Sequence, residues 1–267
     1  MKSLTSNNSR ANHYKALMLD VDGTTIINDP DALPTERVKE CVLKAHDKIK
    51  IGLATSRPFW HAEKIINVLK INAPCILIGG AQIYEPLSKK IVWEKLIDTK
   101  DVKLILKIAE NLNIEVRDDG TGRHLRNEKI HLKNYLKKGP PQFWTHGLEP
   151  KLAEEFIKRL SAISTIAVVK APSWKKGMTD VIISHALATK QHGIIEVSKL
   201  LNISTKDMIG VGDGYNDFPL LMACGLKVAM GNADDELKKI ADFVAPTVDE
   251  DGVAAVIEKF VLASHNI

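Results

Sequence analysis

The chain has 267 residues, 45% hydrophobic and 26% charged, ordinary globular values that allow one large domain or a core with a smaller companion. Its 37 Lys and Arg against 33 Asp and Glu leave a formal charge of +4. This excess mildly favours anionic small molecules and forms no concentrated basic stripe of the kind nucleic acid requires. No apolar run approaches the roughly 20 residues needed to cross a bilayer, so neither nucleic acid nor membrane is expected as a partner.

Residues 1–12, rich in Ser and Asn, read as a disordered tail and not as a signal peptide. A short apolar strand over 16–21 is then broken by Gly23. A helix over 34–48 with Pro34 near its first turn follows, then a strand at 51–54, a helix at 59–69 and a strand at 75–78 closed by Gly79-Gly80. The middle reads differently, with strands at 89–94, 114–117, 163–169 and 179–184. Helices are expected at 98–112 and 149–160, and Gly139-Pro140-Pro141 punctuates a loop. From Lys190 the first pattern resumes: a helix to about 201, a strand at 207–211, a short helix around Leu220, a strand at 226–230 and a closing helix from Asp251.

Alternating strands and helices at both ends imply an α/β fold: a doubly wound, Rossmann-like parallel sheet with helices on both faces. The stretch 84–184 is read as an inserted, smaller α/β domain of about one hundred residues, a common domain size. The core is then 13–83 together with 185–267. Cys41, Cys75 and Cys224 are scattered and odd in number, which fits buried thiols in a reducing cytoplasm better than a secreted disulfide framework.

Two acidic clusters stand out. Asp20-Val21-Asp22-Gly23-Thr24 ends the first strand, and Gly212-Asp213-Gly214-Tyr215-Asn216-Asp217 ends the strand at 207–211. Alone, the first would be an acidic turn. Together they are strand-end carboxylates that can build a Mg²⁺ site, because that hard cation prefers oxygen ligands. In open α/β sheets ligands bind outside the carboxyl ends of the strands, and Asp20, Thr55 and Asp213 each stand at such an end.

On these residues the sequence resembles the haloacid dehalogenase superfamily of phosphotransferases, and within it the Cof-like phosphatases with an inserted α/β cap. That family reads D-x-D-G-T, then a strand-end Thr or Ser, then a Lys, then G-D-G-x-N-D. Here these are residues 20–24, Thr55 within Leu53-Ala54-Thr55-Ser56-Arg57-Pro58, Lys190, and residues 212–217. Met230-Gly231-Asn232-Ala233, Ala241-Asp242-Phe243-Val244 and Glu250-Asp251-Gly252-Val253 extend the likeness, which is poor over 84–184.

The resemblance implies a Mg²⁺-dependent phosphatase acting on a small phosphate ester, a sugar phosphate or phosphorylated hydroxy acid, through an aspartyl-phosphate. It assigns the attack to Asp20 and general acid–base work to Asp22. The metal ligands would be Asp20, the Asp22 carbonyl and Asp213, with Asp217 or Asn216 binding directly or through water. Thr55 and Ser56, at a strand-to-helix turn, would receive the phosphate, although Ser56 stands where relatives often carry Gly and a Thr there also serves as a helix cap. Lys190 would balance the charge; taken alone it would be a solvated helix-start lysine. Arg57 could meet phosphate or a carboxylate, or lie on the surface. Arg123 and Arg126, in a polar stretch of the cap, could contact the leaving group or form a solvated basic face. Trp144 and Trp174 are expected to pack, or to stack on a sugar. Met178, Thr179 and Asp180 could face the site, and His192 reads as structural. Two alternatives stand beside this reading: a phosphomutase of sugar phosphates, and a non-catalytic regulatory module binding Mg²⁺ and phosphate. Oligomeric state is not fixed by the sequence.

Overall fold

The computed structural model describes residues 14–118, 135 and 137–263. The expected tail, Arg123 and Arg126 lie outside the described residues. β1 (Ala16–Leu19) is wholly buried and apolar on both faces, as a central parallel strand has to be. α1 (Glu36–Ala45) is opened by Thr35, whose hydroxyl accepts the Val38 N–H, so Pro34 falls before the cap and not in the first turn. β2 (Lys50–Leu53), α2 (Phe59–Val68) and β3 (Cys75–Leu77) continue the alternation. β4 (Gln82–Glu85) and β5 (Lys90–Glu94) form a hairpin whose first strand pairs antiparallel with β3.

α3 (Thr99–Asn111), β6 (Gln142–Leu148), α4 (Pro150–Leu160), β7 (Ile166–Pro172) and β8 (Thr179–His185) follow. The chain returns through α5 (Lys190–Leu201), β9 (Met208–Gly212), α6 (Phe218–Ala223) and β10 (Leu226–Ala229). It ends with α7 (Asp235–Ile240), β11 (Phe243–Val244) and α8 (Gly252–Ile257), which runs on as a π-helical turn, Glu258–Leu262.

The parallel sheet has the order β11-β10-β9-β1-β2, with Leu19 level with Leu53 on one side and Val211 on the other. An Ala54–Ile76 bridge carries it on to β3. A second, antiparallel sheet has the order β6-β8-β7. Two separate apolar clusters result. One gathers buried residues from Ala16 to Tyr84 and from Ala188 to Val261; the other lies between Ile97 and Ile183, under α3 and α4. The segment 84–184 thus begins with a hairpin that extends from β3, and Trp93 on that hairpin packs against the first cluster.

Two expectations for the middle segment need correction. The expected strand at 114–117 contributes only Arg117, which exchanges both main-chain hydrogen bonds with Trp144. Its start belongs to the end of α3, because Ile114 N–H returns to the Ala109 carbonyl and Asn113 is left-handed at φ 53°. The strand expected from Ile163 begins at Ile166, since Ile163 N–H closes the last turn of α4 on Leu160. β4 and β6 were not anticipated. β6 alternates Phe143 and Thr145, both fully buried, with partly exposed Trp144 and His146, and polar residues inside that run mask the period-2 signal.

Candidate active site

Three adjacent parallel strands deliver the site. Asp20 follows β1, its N–H bound to the Val211 carbonyl at 2.9 Å. Thr55 follows β2, one residue beyond Ala54, whose N–H is held by the Leu19 carbonyl at 2.8 Å. Gly212-Asp213 ends β9. The register of β1 with both neighbours therefore brings these residues together at one edge of the sheet.

After Asp20 the chain turns sharply, with the N–H groups of Thr25 and Ile26 returning to the Val21 carbonyl and the Thr25 hydroxyl donating to the Asp20 carbonyl at 2.5 Å. Gly23 is left-handed at φ +77° and lies against the Asp213 carboxylate, a contact that leaves no room for a side chain. Thr24 Oγ1 donates to Asp213 Oδ1 at 2.8 Å. Asn232 Nδ2 donates to the Gly23 carbonyl at 2.8 Å while its Oδ1 accepts the Val248 N–H, so the turn is tied to the strand-end loop beyond β10.

Lys190, the first residue of α5, is 2% exposed. Its Nζ lies 2.6 Å from Asp20 Oδ1 and 2.6 Å from Asp217 Oδ1. Asp217 is fully buried, and its Oδ2 accepts the N–H groups of Asp213 at 3.0 Å and Gly214 at 3.1 Å. The approach of α5 depends on Gly80: at φ +118°, a β-carbon there would fall 2.2 Å from the Thr189 carbonyl oxygen.

Asp20, Asp213 and Asp217 offer carboxylate oxygens within 4.8 Å of one another, the one such acidic group among the described residues. Against these three carboxylates stands one ammonium. Burial pushes the Asp20 carboxyl up to about 8 against the pull of Lys190, with Asp217 and Asp213 adding to the rise. Burial likewise lifts Asp213 to about 6, opposed by the Thr24 hydrogen bond and reinforced by Asp217. Burial works against the Lys190 charge, but the two carboxylates outweigh it and hold its pKa above the ordinary lysine value. A cage with surplus negative charge and only hard oxygen donors suits a divalent cation such as Mg²⁺. Both Asp217 oxygens already accept hydrogen bonds and Asp213 Oδ1 accepts from Thr24, which leaves Asp20 Oδ2 and Asp213 Oδ2 as the side-chain oxygens best placed to bind it.

Thr55 is buried, and its hydroxyl accepts the Arg57 N–H at 3.0 Å. It therefore caps the turn, and its own proton remains for an anion. Ser56 is exposed beside it. Arg57 meets a carboxylate: Nε lies 2.9 Å from Asp22 Oδ2 and Nη2 2.6 Å from Asp22 Oδ1. Its buried side chain is no surface arginine, and its fork is committed to Asp22 where a phosphate contact had been one reading. Asn216 is exposed, with its side-chain oxygen folded back beside Gly214. His192 bonds Thr189 at the start of α5, a structural part.

In the β6-β8-β7 sheet Trp144 donates to Gln142 Oε1 at 2.5 Å and stacks on His146, whereas Trp174, between β7 and β8, is 86% exposed. Asp180 accepts Gly147 N–H at 2.8 Å and lies 3.3 Å from His146 Nδ1, so it fixes the bulge in β6. Met178 is partly exposed, and Thr179 and Asp180 are buried in β8. Sequence reasoning gave no role to Thr24 or Asn232. Both stand inside motifs it singled out, and their polar side chains beside a strand-end turn were the available signal.

Comparison with known proteins agrees with this geometry. The family described as haloacid dehalogenase-like hydrolase matches residues 17–139 and 118–257. YkrA of Bacillus subtilis (strain 168) is 43% identical over 264 residues, covering 93% of this chain and 98% of that protein. The 5-amino-6-(5-phospho-D-ribitylamino)uracil phosphatase YcsE of the same organism is 24% identical over 252 residues, covering 93% and 96%. Among solved structures, the haloalkanoate-superfamily phosphatase BT1666 from Bacteroides thetaiotaomicron superposes with a TM-score of 0.80 at 22% identity, covering 98% of this chain and all of that one, a likeness of fold. With the family matched along most of its length, the chain belongs to the haloacid dehalogenase-like hydrolases, as one of that superfamily's phosphatases.

Proposed function

We propose that this phosphatase hydrolyses small phosphorylated metabolites, with Mg²⁺ bound by Asp20 and Asp213 and a phosphoryl group carried transiently on Asp20. The observation that carries the reading is the charge cage: Lys190 bridges Asp20 and Asp217 at 2.6 Å each, with Asp213 in the same acidic group. Lys190 anchors Asp20 through Oδ1, which holds the carboxylate in place as it attacks phosphorus and the bond to the leaving oxygen breaks. Asp22 then gives a proton to the departing alkoxide, and afterwards takes one from the water that opens the aspartyl-phosphate. Thr55 Oγ1 and the turn around Ser56 receive the phosphoryl oxygens, and Lys190 opposes their charge. When bound by Asp20 and Asp213, Mg²⁺ would supply positive charge that favours their ionised forms and draws charge from the phosphoryl oxygens.

The Asp22 main-chain carbonyl and Asp217, through water, would complete the metal environment. For the substrate, the name of YcsE specifies a phosphate on a ribityl chain, which supports a polyhydroxylated phosphomonoester, a sugar phosphate or a close relative. The segment 84–184 is proposed as the cap that meets the leaving group, with Arg123 and Arg126 among its contacts.

The test is release of inorganic phosphate from a set of sugar phosphates and phosphorylated hydroxy acids, with Mg²⁺ or with EDTA. Asp20→Asn protein serves as the blank. Equal release in EDTA after removal of tightly bound metal overturns the metal role. Transfer of phosphate between sugars without release would make it a mutase.

A further inference from the structure

We infer that Arg57 is a positioning residue for Asp22, acting on departure of the leaving group through that carboxylate and not through the phosphoryl group; this rests on the acid–base reading of Asp22 above. The guanidinium holds both Asp22 oxygens as a fork, at 2.9 and 2.6 Å. Its other hydrogen bonds run to main-chain carbonyls: Nη1 to Pro30 at 3.1 Å and His61 at 3.5 Å, and Nη2 to Asp29 at 3.3 Å. All three nitrogens are committed. A phosphate contact would require the fork to abandon Asp22.

The difference in burial gives the pair a direction. The Arg57 side chain is 10% exposed and Asp22 is 36% exposed, so a fixed guanidinium holds a carboxylate that faces outward. Arg57 also connects two parts of the chemistry. Its main-chain N–H binds Thr55 Oγ1, in the turn proposed to receive phosphate, while its side chain sets the proposed acid. The distance between phosphorus and the proton donor is thereby fixed through one residue. Such a distance matters, because a misplacement of about 1 Å can cost on the order of 10²-fold in rate. Lysine keeps the charge but lacks the planar fork, and so cannot orient both oxygens.

A double-mutant cycle tests this with two probes, glycerol 1-phosphate, whose alkoxide needs a proton to leave, and p-nitrophenyl phosphate, whose leaving group does not. Arg57→Ala is expected to lower kcat/KM on glycerol 1-phosphate by about 10- to 100-fold. The loss of kcat/KM on p-nitrophenyl phosphate should stay within about threefold, because an activated leaving group makes little use of the acid and kcat/KM does not include the later opening of the aspartyl-phosphate. In an Asp22→Asn background, Arg57→Ala should remove no more than about a further twofold, since the group it positions is already lost. Arg57→Lys should fall between wild type and Arg57→Ala on the alkyl ester. If Arg57→Ala fails to fold, Arg57→Lys carries the same cycle.

Equal losses on both probes, or an unchanged loss in the Asp22→Asn background, would overturn the inference in favour of a direct phosphate contact or a purely structural tie. If Asp22→Asn alone left glycerol 1-phosphate turnover intact, the acid–base reading of Asp22 would fall first and the inference with it. A crippled Asp22→Asn beside an unaffected Arg57→Ala would overturn the inference alone.

Discussion

Gly23 and Asp213 meet where two strand ends converge: a β-carbon on Gly23 would lie 2.2 Å from Asp213 Oδ2. The first acidic motif thus packs against the second through a missing side chain, and Thr24 beside it holds the other Asp213 oxygen. Gly23→Ala should strain the backbone by about 1–3 kcal/mol and push Asp213 out of the cage. Thr24→Val leaves the backbone unstrained and removes only the hydrogen bond. Both should weaken Mg²⁺ binding by about 10- to 100-fold, the usual cost of disturbing a ligand's support. Titration of thermal stability with Mg²⁺ measures this; an unchanged midpoint for Thr24→Val would show that Asp213 needs no such support.

Asp20→Asn should separate activity from stability. The amide neither attacks phosphorus nor binds the cation well, so turnover should fall to background. In metal-free protein near neutral pH the same change removes a carboxylate whose ionisation burial resists, beside two others. The melting temperature in EDTA should therefore equal or exceed that of the wild type, and the stabilisation by Mg²⁺ should largely vanish. A marked fall in melting temperature would show that the Lys190–Asp20 pair outweighs the carboxylate repulsion.

Lys190→Ala should be costly for folding as well as for turnover. Removing one partner from a buried ionic cluster typically costs about 3–5 kcal/mol, because the remaining charges stay desolvated without compensation. The carboxylates left behind can take up protons, so the loss should be smaller near pH 5 than near pH 8. Denaturant unfolding at the two pH values, in EDTA, measures the difference. With Lys190 opposing the phosphoryl charge as proposed, all phosphate esters should lose turnover together.

The acidic cage also sets a pH dependence for the metal-free protein. Asp20 and Asp213 have folded-state values of about 8 and about 6, both above the ordinary 3.8. For a raised group the contribution to stability is fully present below the unfolded value and is lost as pH rises through the folded one. Stability in EDTA should thus decline between pH 4 and 8, through both groups up to about pH 6 and through Asp20 alone above it. Mg²⁺ bound as proposed would remove the repulsion and compete with protons, so the gap between melts with Mg²⁺ and with EDTA should widen with pH. A gap independent of pH would contradict the arrangement, and Asp213→Asn should narrow it at high pH.

The parallel core was legible because its strands are buried on both faces, and runs such as Ala16-Leu17-Met18-Leu19 can scarcely be anything else. The acidic residues were legible because each follows such a run and breaks the strand with glycine. The hydrogen bonds between the motifs were not. Lys190 looks like any helix-start lysine until β3, with Gly80 after it, brings α5 over the sheet, and Arg57 gives no hint of Asp22 until β1 and β2 pair. β6 escaped notice for a local reason: its Gln, Thr and His blur the alternation, and the bulge at Gly147 shifts its register.

The place of β1 in the sheet has a kinetic consequence. Its neighbours are β2, a short loop and one helix away, and β9, which follows the whole of segment 84–184 along the chain. Pairing β1 with β9 therefore closes a very long loop, the kind of non-local contact that slows folding. Until β9 arrives, one edge of an entirely apolar strand stays unpaired, open to misassociation during synthesis. Asp20 meets Asp213 only in that same step. Catalytic competence is then a late event in folding, and its appearance after dilution from denaturant would report the docking of β9 more directly than the recovery of helix does.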